Sequence, residues 1–254
     1  MKKMICYLLT MALMIGMVAS VEFAPVKAKT IDPPPYNLNA TPTMKNVKLS
    51  WEKSNNVKKI IIYRADITKK YKKDRFVKLK KKSFKRIATL SGKTTKMTDI
   101  KVKKKRYYAY YFKAVLKKKW DGKKTYCDFD KKWYTKAYVG LEKPDLSCNG
   151  TDEYRTNDKV VYLSVDSEFG VLPKKYLVYR KGENDKKYKK IKVKYQPNDD
   201  EKPYFYADKN VEANKTYKYK VKAYLKKGKK KYYSKFSKAV KVKTVKPAEE
   251  TFEE

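Results

Sequence analysis

The chain has 254 residues, with 66 lysines and arginines against 27 aspartates and glutamates, no histidine and a formal net charge of +39. The absence of histidine excludes imidazole general bases, Ser–His and Cys–His dyads and most zinc sites. So large an imbalance attracts polyanions over a Debye length, although most lysines fall on outward strand positions, where a solvated surface is the simpler interpretation.

The first predicted element is a secretory signal at residues 1–28. Lys2 and Lys3 precede an apolar run, Ile5–Ala19, and Val26-Lys27-Ala28 is a small-residue cleavage site. The run is short for a membrane-spanning helix, with an uncleaved anchor as the alternative. We therefore expect a secreted, extracellular protein, optionally associated with the cell surface, with no membrane span after cleavage. The lysine- and tyrosine-rich composition suggests a bacterial source.

The rest of the chain carries one pattern of predicted strands twice. Asp99 stands nine residues before Tyr108, and Asp208 stands nine before Tyr217, an offset of 109 residues. Further blocks recur in the same order: Val47–Trp51 with Val161–Val165, Lys59–Arg64 with Lys175–Arg180, Phe84–Ile87 with Tyr188–Ile191, and Thr135–Val139 with Ser237–Lys241. Similarity at this length predicts two copies of one module.

Most of these blocks alternate apolar and polar residues with a period of two. Tyr217, Tyr219 and Val221 fall on one face of their block, and the lysines between them fall on the other. This pattern predicts half-buried antiparallel strands. Short strands separated by turn signals such as Asp121-Gly122 predict an all-β sandwich or barrel. Helical spacing is not sustained anywhere after the signal segment.

Five motifs make both copies resemble fibronectin type III domains. They are a proline-led first strand, the tryptophan Trp51 that ends the second strand, a Tyr-Arg pair that ends the third, the strand that follows an aspartate by nine residues, and the closing run Tyr233-Ser234-Lys235-Phe236-Ser237. The resemblance covers nearly all of residues 33–246. It implies an all-β fold of two tandem immunoglobulin-like β-sandwiches and says little about activity.

The domain organisation follows from this resemblance. We expect a signal peptide at 1–28, fibronectin type III-like domains at 33–142 and 143–247, and an acidic tail at 248–254. In such sandwiches a tyrosine near the start of the sixth strand bonds to the backbone upstream. Tyr108 and Tyr217 are the candidates, and Asp99 and Asp208 would each close the adjoining turn through the carboxylate.

The core positions are predicted from the alternation and from the register between the copies. In the second copy Val165 replaces the tryptophan, so its core should be smaller or be compensated by Tyr162 or Phe205. The residues predicted to be buried are Leu49, Trp51, Ile61, Tyr63, Ile87, Tyr110, Phe112 and Ala114 in the first copy, and Leu163, Leu177, Tyr179, Ile191, Tyr219, Val221 and Ala223 in the second.

Two cysteines remain beyond the signal, Cys127 and Cys148. The sandwich topology separates them by the length of a strand, roughly 30 Å. A disulfide needs Cα atoms within about 7 Å of each other. We therefore expect free thiols or an intermolecular bond.

The densest positive charge lies in an insertion of the first copy, Lys69–Arg86, which holds a single acid, Asp74. The candidate polyanion-binding residues are Lys69, Lys70, Lys72, Lys73, Arg75, Lys78, Lys80, Lys81, Lys82, Lys85 and Arg86. The expected partner is an anionic cell-wall polymer, an acidic polysaccharide or a surface protein, with no specific nucleic-acid recognition. The alternative is that this charge serves only solubility.

No pattern in the sequence indicates catalysis, a cofactor or a metal. Ser91-Gly92-Lys93-Thr94 resembles the end of a phosphate loop, but the required first glycine would fall at Ile87. We therefore expect no enzyme activity and no cofactor. The predicted function is a secreted binding or adhesion module that contacts anionic cell-wall or extracellular polymers. The alternative is a structural spacer or an accessory subunit of a surface assembly or extracellular enzyme, with no ligand of its own.

Overall fold

The computed structural model describes residues 31–127, 134–148, 157, 159–196 and 204–245. The predicted signal at 1–28 and the acidic tail at 248–254 lie outside the described residues and stay predictions, as do the domain boundaries. Within the described ranges, no helix is both long enough and apolar enough to cross a membrane.

The first β-sandwich pairs a small antiparallel sheet with a large one. Its strands are β1 Asn39–Pro42, β2 Val47–Ser50, β3 Val57–Asp66, β4 Lys85–Ser91, β5 Lys96–Asp99, β6 Tyr107–Trp120, β7 Lys123–Cys127 and β8 Thr135–Tyr138. The small sheet has the order β1-β2-β5 and the large one β4-β3-β6-β7, with β8 also paired to β6. Asp121 and Gly122 both have positive φ in the two-residue turn between β6 and β7, which is the hairpin geometry that a right-handed twist favours.

The second β-sandwich repeats this arrangement. Its strands are β9 Asp145–Ser147, β10 Val161–Asp166, β11 Lys175–Gly182, β12 Lys189–Lys190, β13 Lys194–Gln196, β14 Tyr204–Asp208, β15 Thr216–Lys227, β16 Lys230–Tyr233 and β17 Val240–Lys243. The small sheet has the order β13-β14-β10-β9 and the large one β12-β11-β15-β16, with β17 also paired to β15. The all-β fold of tandem fibronectin type III-like sandwiches is therefore confirmed.

Each pair of sheets encloses its own hydrophobic core. In the first sandwich Leu49 and Trp51 pack with Tyr110, Phe112 and their neighbours. In the second, the core residues shared by the two sheets include Val161, Leu163, Val165, Tyr206, Tyr219, Val221 and Ala223. Ile87 and Ile191 are only partly buried at the margins of these cores. The alternation and the register therefore predicted the inner face of the long central strands correctly.

The predicted phase of the third strand of each copy is wrong by one residue. In β3 the core residues are Ile60 and Ile62, whereas Ile61 and Tyr63 are only partly buried. In β11 they are Tyr176 and Val178, whereas Leu177 and Tyr179 are half-buried on the opposite face. Both strands carry four consecutive apolar or aromatic residues, so alternation cannot choose the inward phase there.

The tryptophan of the first core has no aromatic equivalent at Val165, and the compensation is not the one predicted. Trp51 is buried and its indole N–H donates to the carbonyl of Thr94 at 2.9 Å. In the second sandwich Phe205 is buried but does not join the core, and Tyr162 is half-buried.

Two other tyrosines fill the second core. Tyr206 and Tyr176 meet there edge to face, with ring centroids 6.3 Å apart. The Tyr206 hydroxyl accepts the Tyr176 amide at 3.3 Å. The Tyr176 hydroxyl bonds that of Ser167 at 2.6 Å. The missing indole is therefore replaced by two rings whose hydroxyls are also satisfied.

The tyrosine contacts implied by the resemblance are confirmed in both copies. The Tyr108 hydroxyl accepts the backbone N–H of Lys103 at 2.9 Å, and the Tyr217 hydroxyl accepts that of Glu212 at 2.9 Å. The aspartate turns are confirmed as well: the Asp99 carboxylate accepts the N–H of Lys101 at 3.1 Å, and that of Asp208 accepts the N–H of Asn210 at 3.1 Å.

The same two aspartates also bind the arginines that end the third strands. Arg64 lies 2.8 Å from Asp99, and Arg180 lies 2.9 Å from Asp208. A core tyrosine completes each group, because Tyr110 donates to Asp99 at 3.1 Å and its counterpart in the second copy donates to Asp208 at 2.9 Å. Each nearly buried carboxylate is thus paired and hydrogen-bonded, as a buried charge must be.

The segment between the sandwiches is held by a buried carboxylate. Glu142 accepts the hydroxyl of Tyr107 at 2.7 Å and the backbone N–H groups of Phe169 and Gly170 at 2.8 and 3.1 Å. Burial raises the pKa of Glu142. A Cβ at position 170 would lie 2.6 Å from that of Glu142, so only glycine allows this approach. Tyr107 belongs to the first sandwich, so this carboxylate joins the two sandwiches directly.

The last strand of the second sandwich is interrupted between β16 and β17 by two serines. Ser234 donates its N–H to the carbonyl of Ala223 at 3.0 Å, and its hydroxyl accepts the Ala223 N–H at 2.8 Å. Ser237 makes the same pair of bonds with Val221, at 2.8 and 3.0 Å. One serine thus satisfies both polar backbone groups of one β15 residue, and the chain between the serines bulges away.

Candidate functional site

The insertion Lys69–Arg86 is folded. It begins with a short helix, α1 Thr68–Lys73, and contains a 3₁₀ turn, Lys81–Ser83. Asp66 starts the helix by accepting both the N–H of Thr68 at 3.0 Å and its hydroxyl at 2.6 Å. Two turns of six and three residues are too short to give a sustained helical period, which is why the sequence did not indicate them.

Most apolar residues of the insertion cover the outer face of the large sheet. Tyr71 stacks near Tyr107 with centroids 4.2 Å apart, and Phe84 meets Tyr111 edge to face at 4.9 Å. This third core joins residues of the insertion to β3 and β6; its buried members are Ala65, Ile67, Tyr71, Val77, Leu79, Phe84, Tyr107, Ala109 and Tyr111. Burial raises the pKa of Tyr111 to about 12, in keeping with a ring removed from water.

The predicted polyanion-binding residues are all exposed to solvent. The exposed set is Lys69, Lys70, Lys72, Lys73, Arg75, Lys78, Lys80, Lys81, Lys82, Lys85 and Arg86. Four of the apolar residues between them, Tyr71, Val77, Leu79 and Phe84, point inward, whereas Phe76 is exposed. The insertion therefore has a buried apolar side and a basic outer side. The sequence alone did not show which of its residues are buried and which are exposed.

Arg75 and Asp74 of the insertion have defined partners. Arg75 pairs with Asp145 at the start of the second sandwich, and this contact raises the pKa of the guanidinium. The carboxylate of Asp74 accepts the N–H of Phe76 at 2.8 Å. Tyr71 also meets Phe169 edge to face at 5.7 Å, so the insertion contacts the second sandwich through both a charge and a ring.

A second basic surface, which the sequence did not single out, lies on the outer face of the large sheet of the second sandwich. We call it the lysine–aromatic face; it consists of Lys175, Tyr179, Tyr188, Lys220, Lys222, Tyr224, Tyr233 and Phe236. The ammonium of Lys220 lies 4.1 Å from the ring centre of Tyr188 and 4.2 Å from that of Phe236. Lys222 lies 4.9 Å from Phe236 and 4.8 Å from Tyr233. The alternation on β15 places these lysines outward, but their aromatic partners come from three other segments.

The remaining titratable chemistry of the described residues is structural. Cys127 and Cys148 are unpaired and partly buried, and burial raises the pKa of Cys148 to about 12, which keeps it protonated. Within the described part of the chain, no group of three or more histidine, cysteine, aspartate or glutamate side chains is placed to hold a metal ion.

No family model matches the sequence, and no curated protein matches it. Among solved structures, the FN1–FN3 domains of chicken CNTN1 match over 84% of this chain and 68% of that chain, with 15% identity and a TM-score of 0.31. A two-domain fibronectin type III segment of chicken tenascin matches over 83% of this chain and 99% of that chain, with 11% identity and a TM-score of 0.33. At these scores the fold assignment rests on the strand pairing described above.

Proposed function

We propose that this protein is a non-catalytic, extracellular binding module that holds an anionic polymer on the basic side of the insertion Lys69–Arg86. The observation that carries the proposal is the two-sided structure of the insertion. Its basic side chains are exposed, while the rings of Tyr71 and Phe84 are packed into the third core. The charges therefore stand on a folded support, and binding a polymer does not have to order a loose loop first.

The class of ligand follows from the charge of this surface, which also carries the exposed ring of Phe76. Lysine dominates the set, and an ammonium is a compact charge with no planar geometry to read a particular group. Such a surface recognises charge density, as on an anionic cell-wall polymer or an acidic polysaccharide. The alternative function is a spacer without a ligand, which the joining contacts of Glu142, Tyr107 and Gly170 favour because they fix one sandwich against the next.

Retention on purified cell wall tests the proposal. The parent should bind wall carrying its anionic polymers, should not bind wall from which they have been extracted, and should be released by salt as counterions return. Changing Lys80, Lys81 and Lys82 to glutamine should weaken binding. It should also reduce the slope of log K against log[salt] by roughly 2. The melting temperature should stay nearly unchanged, because exposed charges contribute little to stability.

A matched control comes from Lys103, Lys104 and Lys105, which are consecutive and exposed in the turn before β6. Changing them to glutamine removes the same net charge from a different surface. If both triple variants bind wall equally well, the insertion is not the site. If the parent does not bind at low salt, the spacer function replaces the proposal.

A further inference from the structure

The lysine–aromatic face contains a groove with two kinds of lining. The groove encloses about 190 Å³ and is lined by Lys175, Leu177, Lys190, Tyr224, Lys231 and Tyr233. This is smaller than the roughly 300–1,000 Å³ of sites that bury a drug-sized ligand, so the groove suits one ring-sized group and not a folded partner. Leu177 and the two tyrosine rings supply apolar surface, and the three lysines supply positive charge.

The lining favours a ligand that has both a ring-shaped apolar surface and a negative charge. None of the described residues that line the groove is acidic. A purely inorganic polyanion would use the lysines and leave the tyrosine rings without a role. A neutral saccharide would use the rings and leave three ammonium groups uncompensated.

The arrangement of the rings argues against stacked nucleic-acid bases. Base stacking on aromatic side chains needs an open ring face. Lys175 lies 5.9 Å from the ring centre of Tyr224, and Lys222 lies 4.8 Å from that of Tyr233. The two rings are also tilted by 44°, with centroids 5.3 Å apart, so they cannot both lie parallel to one planar base. A puckered saccharide ring does not require parallel faces.

The charges beyond the groove continue in one direction. Lys222, Lys220 and Lys218 follow Tyr224 on the outward side of β15, with successive lysines about 6.6 Å apart along the strand. Lys220 and Lys222 are only half-exposed because the rings of Tyr188 and Phe236 enclose them. Cation–π contacts limit the conformations of these two side chains, so less freedom is lost when an anion binds.

We propose that the lysine–aromatic face binds a linear acidic polysaccharide, with one sugar ring in the groove at Tyr224 and Tyr233 and further acidic groups along Lys222, Lys220 and Lys218. This site lies on the second sandwich and does not depend on the insertion of the first. It therefore goes beyond the proposed function and stands if that proposal fails.

Calorimetric titration of the full chain tests this site with four probes: hexagalacturonate, neutral maltohexaose, linear polyphosphate and oligothymidylate. The key variant is Tyr233→Ala, which removes an aromatic lining residue and leaves the charge unchanged. Tyr233 is 50% exposed, and Tyr36 of the first sandwich, at 47%, gives the matched control Tyr36→Ala. Lys231→Gln tests the charged lining separately, and melting curves confirm that each variant is folded.

The expected result is saturable binding of hexagalacturonate that Tyr233→Ala weakens about five-fold and Tyr36→Ala does not change. Tyr233→Ala should leave polyphosphate binding unaltered, whereas Lys231→Gln should weaken both anions by about three-fold. Equal effects of Tyr233→Ala and Tyr36→Ala on hexagalacturonate, or equal affinity for maltohexaose, would overturn the proposal. So would a larger effect of Tyr233→Ala on oligothymidylate, which would indicate a nucleic-acid site.

The two proposals fail separately in these assays. The glutamine variant of Lys80, Lys81 and Lys82 should keep the parent affinity for hexagalacturonate at the groove. If that variant alone loses hexagalacturonate while Tyr233→Ala keeps it, the saccharide binds at the insertion and the groove proposal is wrong. If the glutamine variant of the insertion is retained on wall as well as the parent, but Tyr233→Ala weakens hexagalacturonate binding, only the insertion proposal fails.

Discussion

The outer face of the large sheet is covered in the first sandwich and reaches solvent in the second. On β6 the outward residues Tyr107, Ala109 and Tyr111 are buried beneath the insertion. At the offset of 109 residues, Ala109 and Tyr111 correspond to Lys218 and Lys220 of β15, which reach solvent. The inward residues are alike in both strands. The inner face of such a strand is therefore constrained by the core, and the outer face is free to be covered or to become a binding surface.

The largest effect on stability should come from exchanging the equivalent outward residues of β6 and β15. Ala109→Lys places the second copy's residue in the covered position, where an unpaired charge would be buried. It should lower the free energy of unfolding by about 3–5 kcal/mol and expose the insertion to proteolysis. The reciprocal change Lys218→Ala should alter stability by less than about 0.5 kcal/mol. Urea denaturation and limited proteolysis measure both, and an unaltered Ala109→Lys protein would show that the insertion is not a fixed cover.

Replacing the core residue at the equivalent inner position should distinguish the two cores. Trp51→Ala should cost about 3–5 kcal/mol, because a large buried aromatic side chain is removed and a cavity remains. Val165→Ala removes fewer atoms and should cost about 2 kcal/mol. Denaturation followed by circular dichroism gives both values. Equal costs would mean that the Trp51 site collapses around the smaller side chain.

The aspartate that closes each turn should contribute about equally to stability in the two copies. Asp99→Asn and Asp208→Asn each weaken a charged hydrogen-bond group with an arginine and a tyrosine. Each should cost about 1.5–3 kcal/mol, and the two costs should agree closely because the distances agree. Thermal unfolding of the two single variants is the measurement. A large difference would mean that surroundings other than the arginine and tyrosine decide the cost.

The smallest effect concerns the carboxylate that joins the copies. The raised pKa of Glu142 means that the folded protein holds this proton more tightly than the unfolded chain does. The contribution of Glu142 to stability should therefore fall as the pH rises from about 4.3, the unfolded value, through the raised pKa. Glu142→Gln cannot titrate, so its melting temperature should lack this component when the two proteins are compared from pH 4 to 8. Parallel profiles would contradict the assignment.

Much of the fold could be predicted because its residues report their surroundings locally. The strand around Tyr219 alternates cleanly, the strand around Tyr110 follows from its register with that copy, and Tyr108 and Tyr217 stand at a fixed distance from an aspartate. The phase of β3 could not be predicted, because its outward residue Tyr63 packs against the core that the insertion forms on that face. The consecutive apolar residues of β3 fit a strand that is covered on both faces. From the sequence alone, they do not show which face points into the main core.

The candidate sites show the same division. The charge of the insertion was evident from composition, and its basic residues are all exposed. The buried side of the insertion was not evident from the sequence, because Tyr71, Val77, Leu79 and Phe84 follow no regular period. The lysine–aromatic face was missed for a different reason: Phe236 and Tyr188 reach Lys220 from segments that are distant in sequence, and pairing of this kind requires the strand register.

The serine-bonded break in the last strand has a consequence for solubility of the folded chain. An intact terminal strand would offer a continuous row of unpaired backbone groups, which recruits strands from other molecules. Ser234 and Ser237 direct their bonds inward to Ala223 and Val221, and the bulge between them separates two short strands of four residues each. The break therefore shortens the row of backbone groups that a neighbouring copy could pair with at this edge.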